Sequence, residues 1–416
     1  MYDIDRIRKT CDDLLDETTA FLDRLVRFES LPGYEGPAME WVYDQFTGIS
    51  DICEKVTVSE DIVNDPDYAF TLDDRPYEGR PNVRAVLKGD GTGKSVVLNA
   101  HVDVVPPSDG HLRPFDPFIE DGKMYGRGTI DDKGMVAVMW MMFSAMKKLG
   151  MRPKGDVILH IVIEEETGGN GTLAMIRRGE KADCCLNLEG CGLGKIFTSV
   201  RGALWFTLTC YGRAGHSGSA QTTVSALKQA IEAIGILEQY HDELLNETIG
   251  DDLLFAEIRD PMPITFGSLV AGDWPAMAPQ KAVVKGVLGI LSTPKEQVMR
   301  EMVSRIKERG SEWLSAHFDL TFEYRHDTSR IDPGLPFVKL LEDCYRDVGV
   351  EPQIAGLSAS ADTWFYTNLA DIPCVLTGPG GIGTAHTDRE RIVLDEVPVG
   401  AAAYILFIQR WCGLTE

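Results

Sequence analysis

The stretch HIVIEEETGGNGT, residues 160–172, decides how this chain is read. An alternating apolar run, Ile161-Val162-Ile163, ends in three adjacent glutamates, Glu164, Glu165 and Glu166, and two glycines follow at once. A short apolar run bounded by turn signals reads as a buried strand. Like charges crowded at its tip repel unless something answers them. Similar strand signals occur at 82–87, at 95–100 running into HVDVVPP, and at CCLNLEG ending in Glu189. Helical stretches at 135–149 and about 171–179 separate them. Strands alternating with helices predict an α/β domain whose largely parallel mixed sheet is flanked by helices. GDGTGKS, 89–95, lacks phosphate-loop spacing and reads as a hairpin turn.

The pattern changes near residue 197. ALWFTLTCYGRAG alternates as a half-buried strand. A helix near 224–247, strands near 262–270 and 281–291, a helix near 294–315 and the strand DLTFEYRHD follow. The order βαββαβ predicts a small α+β unit. It is expected as an insertion, residues 197–326, within a first domain made of 1–196 and 327–416. A chain of 416 residues is long for one core, which agrees with two domains.

A formal net charge of −23 argues against nucleic acid or an anionic membrane as partner. The nine cysteines form no CxxC pair and are expected as reduced thiols. The first 21 residues read as a polar amphipathic helix without the apolar core of a signal peptide, and no run of about 18 apolar residues exists. A cytoplasmic location is expected.

Residues able to bind metal gather at strand ends and loops. His101 and Asp103 form H-x-D, Asp131 and Asp132 lie in GRGTIDDKG, and Glu165 and Glu166 end their strand. Glu189 ends the next, and His386 sits in GPGGIGTAHTD. In an open α/β sheet the ligand site lies at the carboxyl ends of the strands. Taken singly, each has a plain structural explanation, such as a solvated turn or a hydrogen-bonded loop histidine. Together they converge on one site. Two divalent cations would offset the repulsion, and imidazole with carboxylates suits Zn²⁺, with Mn²⁺ and Co²⁺ also fitting. Such a pair lowers the pKa of a shared water, and a carboxylate off the metal can take its proton. The glycines of 378–383, Gly380 among them, could bring backbone N–H groups to an anionic substrate group.

In this order the motifs SLPGYEG, HVDVVP, DGKMYGRGTIDDKG, EEETGGNGT, NLEG, GRAGHSG, ASADTWF and TGPGGIGTAHTDRE resemble the M20 metallopeptidase family, over nearly the whole chain. That family includes acetylornithine deacetylase, succinyl-diaminopimelate desuccinylase, aminoacylase and carboxypeptidase G2. The resemblance implies that His101 and Glu189 bind one metal, Glu166 and His386 the other, and that Asp131 bridges both. It implies Glu165 as general base, Asp103 as the partner that fixes the His101 tautomer, and a cis peptide at Asp131–Asp132. It also implies that the inserted domain is a lid through which the protein forms a homodimer, and that His216 stabilises the oxyanion in the partner's site. The reaction implied is hydrolysis of an amide bond in a small N-acyl amino compound or short peptide. Deamination of an unusual amine is the alternative within the enzyme class, and an inactive binding protein the alternative outside it.

One departure stands out. Many members carry N-x-x-P followed about ten residues later by an Arg, which together read a substrate carboxylate. Here Ala276 stands at the Asn position, and Gly289 or Ile290 at the Arg position. The substrate therefore lacks a free carboxylate or is read by other groups, with Arg201 and Arg213 as candidates.

Overall fold

A computed structural model describes residues 2–71, 75–219, 221–248 and 250–415. A nine-stranded sheet runs in the order Ile52–Val56, Asn82–Leu87, Val157–Val162, Val96–His101, Cys185–Leu188, Cys374–Gly378, Gly192–Val200, Ser329–Arg330, with Gln353–Leu357 also pairing Gly192–Val200. The sheet is less parallel than its α/β pattern predicts. Parallel pairing holds in the four central strands, Val157–Val162 through Cys374–Gly378, and between Gln353–Leu357 and Gly192–Val200. The flanks are antiparallel. The strands 82–87 and 96–101 do not form the expected hairpin, because Val157–Val162 lies between them. The glycine-rich connection instead crosses the start of that strand, with the Gly91 N–H donating to Lys154 O.

Register places the chemistry. His101 pairs with Val162, and Leu188 with Thr377, so the central strands finish at one end of the sheet. The three glutamates, Glu189 and the loop that carries His386 all leave from that end.

Helices cover the sheet. Lys133–Leu149 starts directly after Asp132, is buried on nearly every face, and stops at Gly150 in the left-handed region. Glu396–Trp411 packs against it and is similarly buried. Their side chains join the strands in one apolar core, in which truncating a buried Phe such as Phe143 or Phe407 would cost about 3–5 kcal/mol. The amino-terminal helical stretch is two helices, Ile4–Asp12 and Leu15–Val26. No helix among the described residues is long and apolar enough to cross a membrane.

Between Gly202 and His326 the chain builds a second, four-stranded antiparallel sheet, ordered Ile264–Ala271, Lys281–Ile290, Gly202–Tyr211, Phe318–His326. Helices Ala226–Thr248 and Lys295–Arg309 pack on it around a separate apolar core, in the element order expected from sequence. The segment from Asp65 to Phe70 straps the two sheets together. The Phe70 N–H donates to Glu323 O at 2.8 Å, and Arg325 Nη2 donates to Tyr68 O at 2.6 Å. From the first sheet's side, Arg177 grips Asp65 and Asp67.

Candidate metal centre

The strand tip of 160–172 gives its three glutamates three different environments. Glu164 has a left-handed backbone, φ 61°, that turns the chain, so that Glu165–Thr167 forms a short 3-10 turn. Its side chain points back into the protein, where it pairs with Arg80, accepts from Tyr77 Oη at 2.8 Å and from Asn170 Nδ2 at 3.2 Å. Glu165 and Glu166 face a cavity of about 280 Å³ lined also by Asp131, Glu189, Ser360 and His386. The glycines that follow are there for space: a Cβ on Gly169 would lie 2.2 Å from the Phe365 ring and 2.5 Å from Asp362.

Asp131 is the centre of the arrangement. Its Oδ1 lies 3.2 Å from His101 Nε2 and its Oδ2 lies 3.1 Å from His386 Nε2. His386 Nε2 is also 3.1 Å from Glu166 Oε1. Among the described residues, two groups of three side chains hold their donor atoms within 4.8 Å of one another. One is Asp131, Glu166 and His386; the other is His101, Asp132 and Glu189. Asp132, to which the sequence assigns no separate role, accepts the His101 backbone N–H on Oδ2 at 3.2 Å, and its Oδ1 is buried without a partner among the described residues. The peptide between Asp131 and Asp132 is cis, as expected.

The residues fit divalent cations on two observations. His101 Nε2 is buried with no hydrogen bond of acceptable geometry, although carboxylates surround it. Clustered carboxylates in a buried site are otherwise costly, and protonation reflects that cost. Burial, then the neighbouring Asp362, Glu189 and Glu166 charges, push the Glu165 carboxyl well above the usual range, with His101 opposing. Burial and the Asp132 and Asp131 charges do the same to Glu189. Asp131 is the exception: burial would raise it, but His101 and His386 on its two oxygens hold it low. His386 is in turn pushed up to about 11 by Asp131 and Glu166. Imidazole and carboxylate donors at these distances suit Zn²⁺, Mn²⁺ or Co²⁺.

Other side chains hold the donors. His101 Nδ1 lies 3.0 Å from the Asp103 carbonyl oxygen and 3.4 Å from its carboxylate, which directs Nε2 at Asp131. The Asp103 carboxylate has a second task that its sequence position does not reveal, accepting the backbone N–H groups of Glu165 at 3.1 Å and Glu166 at 3.0 Å. Glu390, paired with Arg127, accepts the N–H groups of Ile130 at 3.2 Å and Asp131 at 3.3 Å. Its place in HTDRE, four residues beyond His386, was the available signal.

The remaining expected residues are spread out. Gly380 donates its N–H to the Glu396 carboxylate at 2.7 Å, so that donor is already engaged. Arg213 stacks on Trp313, with its guanidinium carbon 4.7 Å from the ring centroid. His216 is exposed, lies outside the cavity lining, and pairs with Met277 in a two-stranded ribbon. Ser217 N–H donates to Ala276 O, so the histidine tip and the altered N-x-x-P tip are neighbours. Arg201 lies beside the cavity wall, donating Nε to Ser358 O at 2.7 Å and Nη1 to Gly202 O at 3.1 Å. A Cβ on Gly289 would lie 2.6 Å from Arg201 Nη1, so this guanidinium fills the space beside the position where the resemblance leads one to expect an arginine.

Known proteins share this arrangement of chain. The sequence is 26% identical over 372 residues to the N-formyl-4-amino-5-aminomethyl-2-methylpyrimidine deformylase of Bacillus subtilis, covering 81% of this chain and 84% of that protein. It is 26% identical over 360 residues to succinyl-diaminopimelate desuccinylase 2 of a Ruegeria species, covering 80% and 85%. The M20 family metallo-carboxypeptidase Sso-CP2 of Sulfolobus solfataricus has the same fold, with a TM-score of 0.77 at 16% identity over 95% of this chain and 99% of that one. The sequence profile of peptidase family M20/M25/M40 matches residues 97–410, a span that takes in every side chain of both donor groups, and the chain belongs to that family.

Proposed function

We propose that this member of the family is a metal-dependent hydrolase that cleaves the amide bond of a small N-acyl amino compound or short peptide bearing a free carboxylate. The observation that carries the reading is Asp131 set between His101 and His386, with Glu165 beside it and not needed as a donor. His101, Asp131 and Glu189 would hold one cation, Asp131, Glu166 and His386 the second, and Asp132 supports the first group. When bound, the cations would supply Lewis acidity toward the scissile carbonyl and lower the pKa of the attacking water. Zn²⁺ is the proposed ion.

Glu165 is the proposed general base. Its carboxyl lines the cavity and sits 3.9 Å from His101 Nε2. It takes the proton from water as the carbonyl is attacked and returns it to the leaving amine. Burial favours the protonated carboxyl, which suits the second step, while a cationic centre nearby favours the charged form that the first requires. Asp103 meets the His101 ring with its carbonyl oxygen and the Glu165 amide with its carboxylate, so one residue aligns ligand and base.

Arg201 is the proposed reader of the substrate carboxylate, because its half-buried guanidinium donates to Ser358 O, next to the cavity-lining Ala359 and Ser360, and no carboxylate hydrogen-bonds it among the described residues. Arg213, stacked on Trp313, is the weaker candidate, and the engaged Gly380 N–H would shape the loop. We further propose that 197–326 is an inserted lid closing on 1–196 and 327–416, and that it pairs two chains as a homodimer. The exposed His216 would then reach the partner's site and stabilise the oxyanion. Initial rates of metal-stripped protein, reloaded with Zn²⁺, Mn²⁺ or Co²⁺, on N-acyl amino acids and dipeptides test the reading. Turnover that survives exhaustive chelation would overturn it.

A further inference from the structure

Two buried ion pairs and a set of hydrogen bonds behind the candidate centre form a closed circuit. The loop after the Leu15–Val26 helix is fastened to the His101 strand: Ser30 Oγ donates to Val102 O at 2.6 Å, and the Val104 N–H donates to Ser30 O at 3.1 Å. Five residues on, buried Glu35 accepts from Arg80 Nε at 2.7 Å and from Nη2 at 3.0 Å. Arg80 Nη2 also pairs with Glu164. Glu164 fixes the turn of Glu165 and Glu166, whose amides return to Asp103 on the His101 strand. The circuit therefore joins the element carrying His101 to the element carrying Glu166, one member of each donor group.

Arg80 is the one cation in that circuit and is 5% exposed. A guanidinium can serve two carboxylates because its fork offers five donors in one plane. Without it, Glu35 and Glu164 would face each other as buried charges, which is strongly unfavourable. The left-handed backbone at Glu164 adds to the need for an anchor, since that region is costly for a residue with a side chain.

We propose that Arg80 is a positioning residue for the metal centre, holding Glu164 so that Glu166 keeps its spacing from the His101 group. Its effect on the ions is indirect, through the turn, and falls on the second group because Glu166 belongs to it. This rests on the reading that the two groups hold cations.

The test uses the full chain, stripped of metal and titrated with Mn²⁺, with electron paramagnetic resonance reporting free ion, bound ion and the magnetic coupling of a bound pair. The parent is expected to bind two ions with a coupled signal; if it binds none, the metal reading itself fails and the role of Arg80 falls with it. Arg80→Met is expected to weaken the second ion at least tenfold, to leave the first within twofold, and to diminish the coupled signal at saturation. Arg84→Met, which removes a less buried arginine from its contacts with Glu180 and Glu54, is expected to leave both affinities within twofold. If Arg80→Met binds both ions with parent affinity and coupling, or weakens both equally, the proposal is wrong. Should that variant fail to fold, Glu164→Gln decides. It keeps the Arg80–Glu35 pair, and the same selective loss is expected, whereas parent-like binding overturns the proposal.

Discussion

Replacing Arg201 by methionine removes a guanidinium that has two carbonyl partners but no carboxylate. Burial holds its pKa below the usual arginine range, with Tyr324 and Asp260 opposing. The side chain thus sits where an anion would be welcome, which is what a carboxylate reader requires before substrate arrives. A hydrogen bond to a charged group contributes about 1.5–3 kcal/mol. Since each 1.4 kcal/mol is tenfold, kcat/KM on N-acyl amino acids is expected to fall by roughly 10- to 150-fold in Arg201→Met. The same compounds with amidated carboxylates are expected to change less than threefold. Stability should stay within about 1 kcal/mol of the parent, because relief from burying an unpaired charge offsets the lost contacts to Ser358 and Gly202. Gly289→Ala probes the same spot from the opposite side, since its methyl carbon would displace Arg201 Nη1. It should reproduce the selectivity change, with some loss of stability because Met262 Cα is also only 2.9 Å away. The assay is initial rates on matched free-acid and amide pairs. If Arg201→Met hydrolyses free acids within threefold of the parent, the carboxylate is read elsewhere and the reasoning fails.

Glu165→Gln is expected to retain both ions and lose about 10²–10⁴-fold in turnover, measured against bound-metal content; full activity in that variant would remove the base assignment. Chelation is expected to lower Tm as well as activity, because an ion at 100 times its Kd adds about 2.7 kcal/mol to the folded state. A Tm unaffected by chelation and reloading would count against a bound ion. Burial would raise the Glu180 carboxyl, but contacts with His160 and Arg84 hold it at about 2. A depressed carboxyl stabilises the fold above its unfolded pKa, so this contribution should fade as pH falls from about 4.5 towards 2. In Glu180→Gln that part of the acid dependence should vanish, and urea midpoints measured across the window would reveal an unchanged profile if the contact is inert.

The gathering of these side chains at one end of the sheet was legible because parallel strands in register finish together. Residues far apart in the chain, such as His101 and Glu189, can therefore be assigned to one place from strand ends alone. The sheet's order was less legible: residues 82–87 and 96–101 look like a hairpin because nothing local says that the 157–162 strand separates them. Arg80 left no local trace either, since its partners Glu35 and Glu164 lie 45 and 84 residues away. Arg201 could be guessed only from what is missing at 289, and its placement needed the pairing of Gly289 with Ala203 across the second sheet. The contact of Asp103 with His101 was legible and its contact with the 165–166 amides was hidden, because backbone amides carry no residue signature.

The strand Cys374–Gly378 lies inside the large sheet, between Cys185–Leu188 and Gly192–Val200, yet roughly 190 residues of chain separate it from the first of these. During synthesis at about 5–20 residues per second, that gap stays open for roughly 10–40 s. Throughout that time two neighbouring strands present unpaired backbone edges, the kind of surface that recruits foreign strands. The intervening second sheet, Gly202 to His326, can form while the slot waits. Ribosome stalling or truncation before Cys374 would therefore leave a half-made protein with a folded outboard unit and an open, adhesive centre. Its fate would rest with chaperones and proteases before any question of catalysis arose.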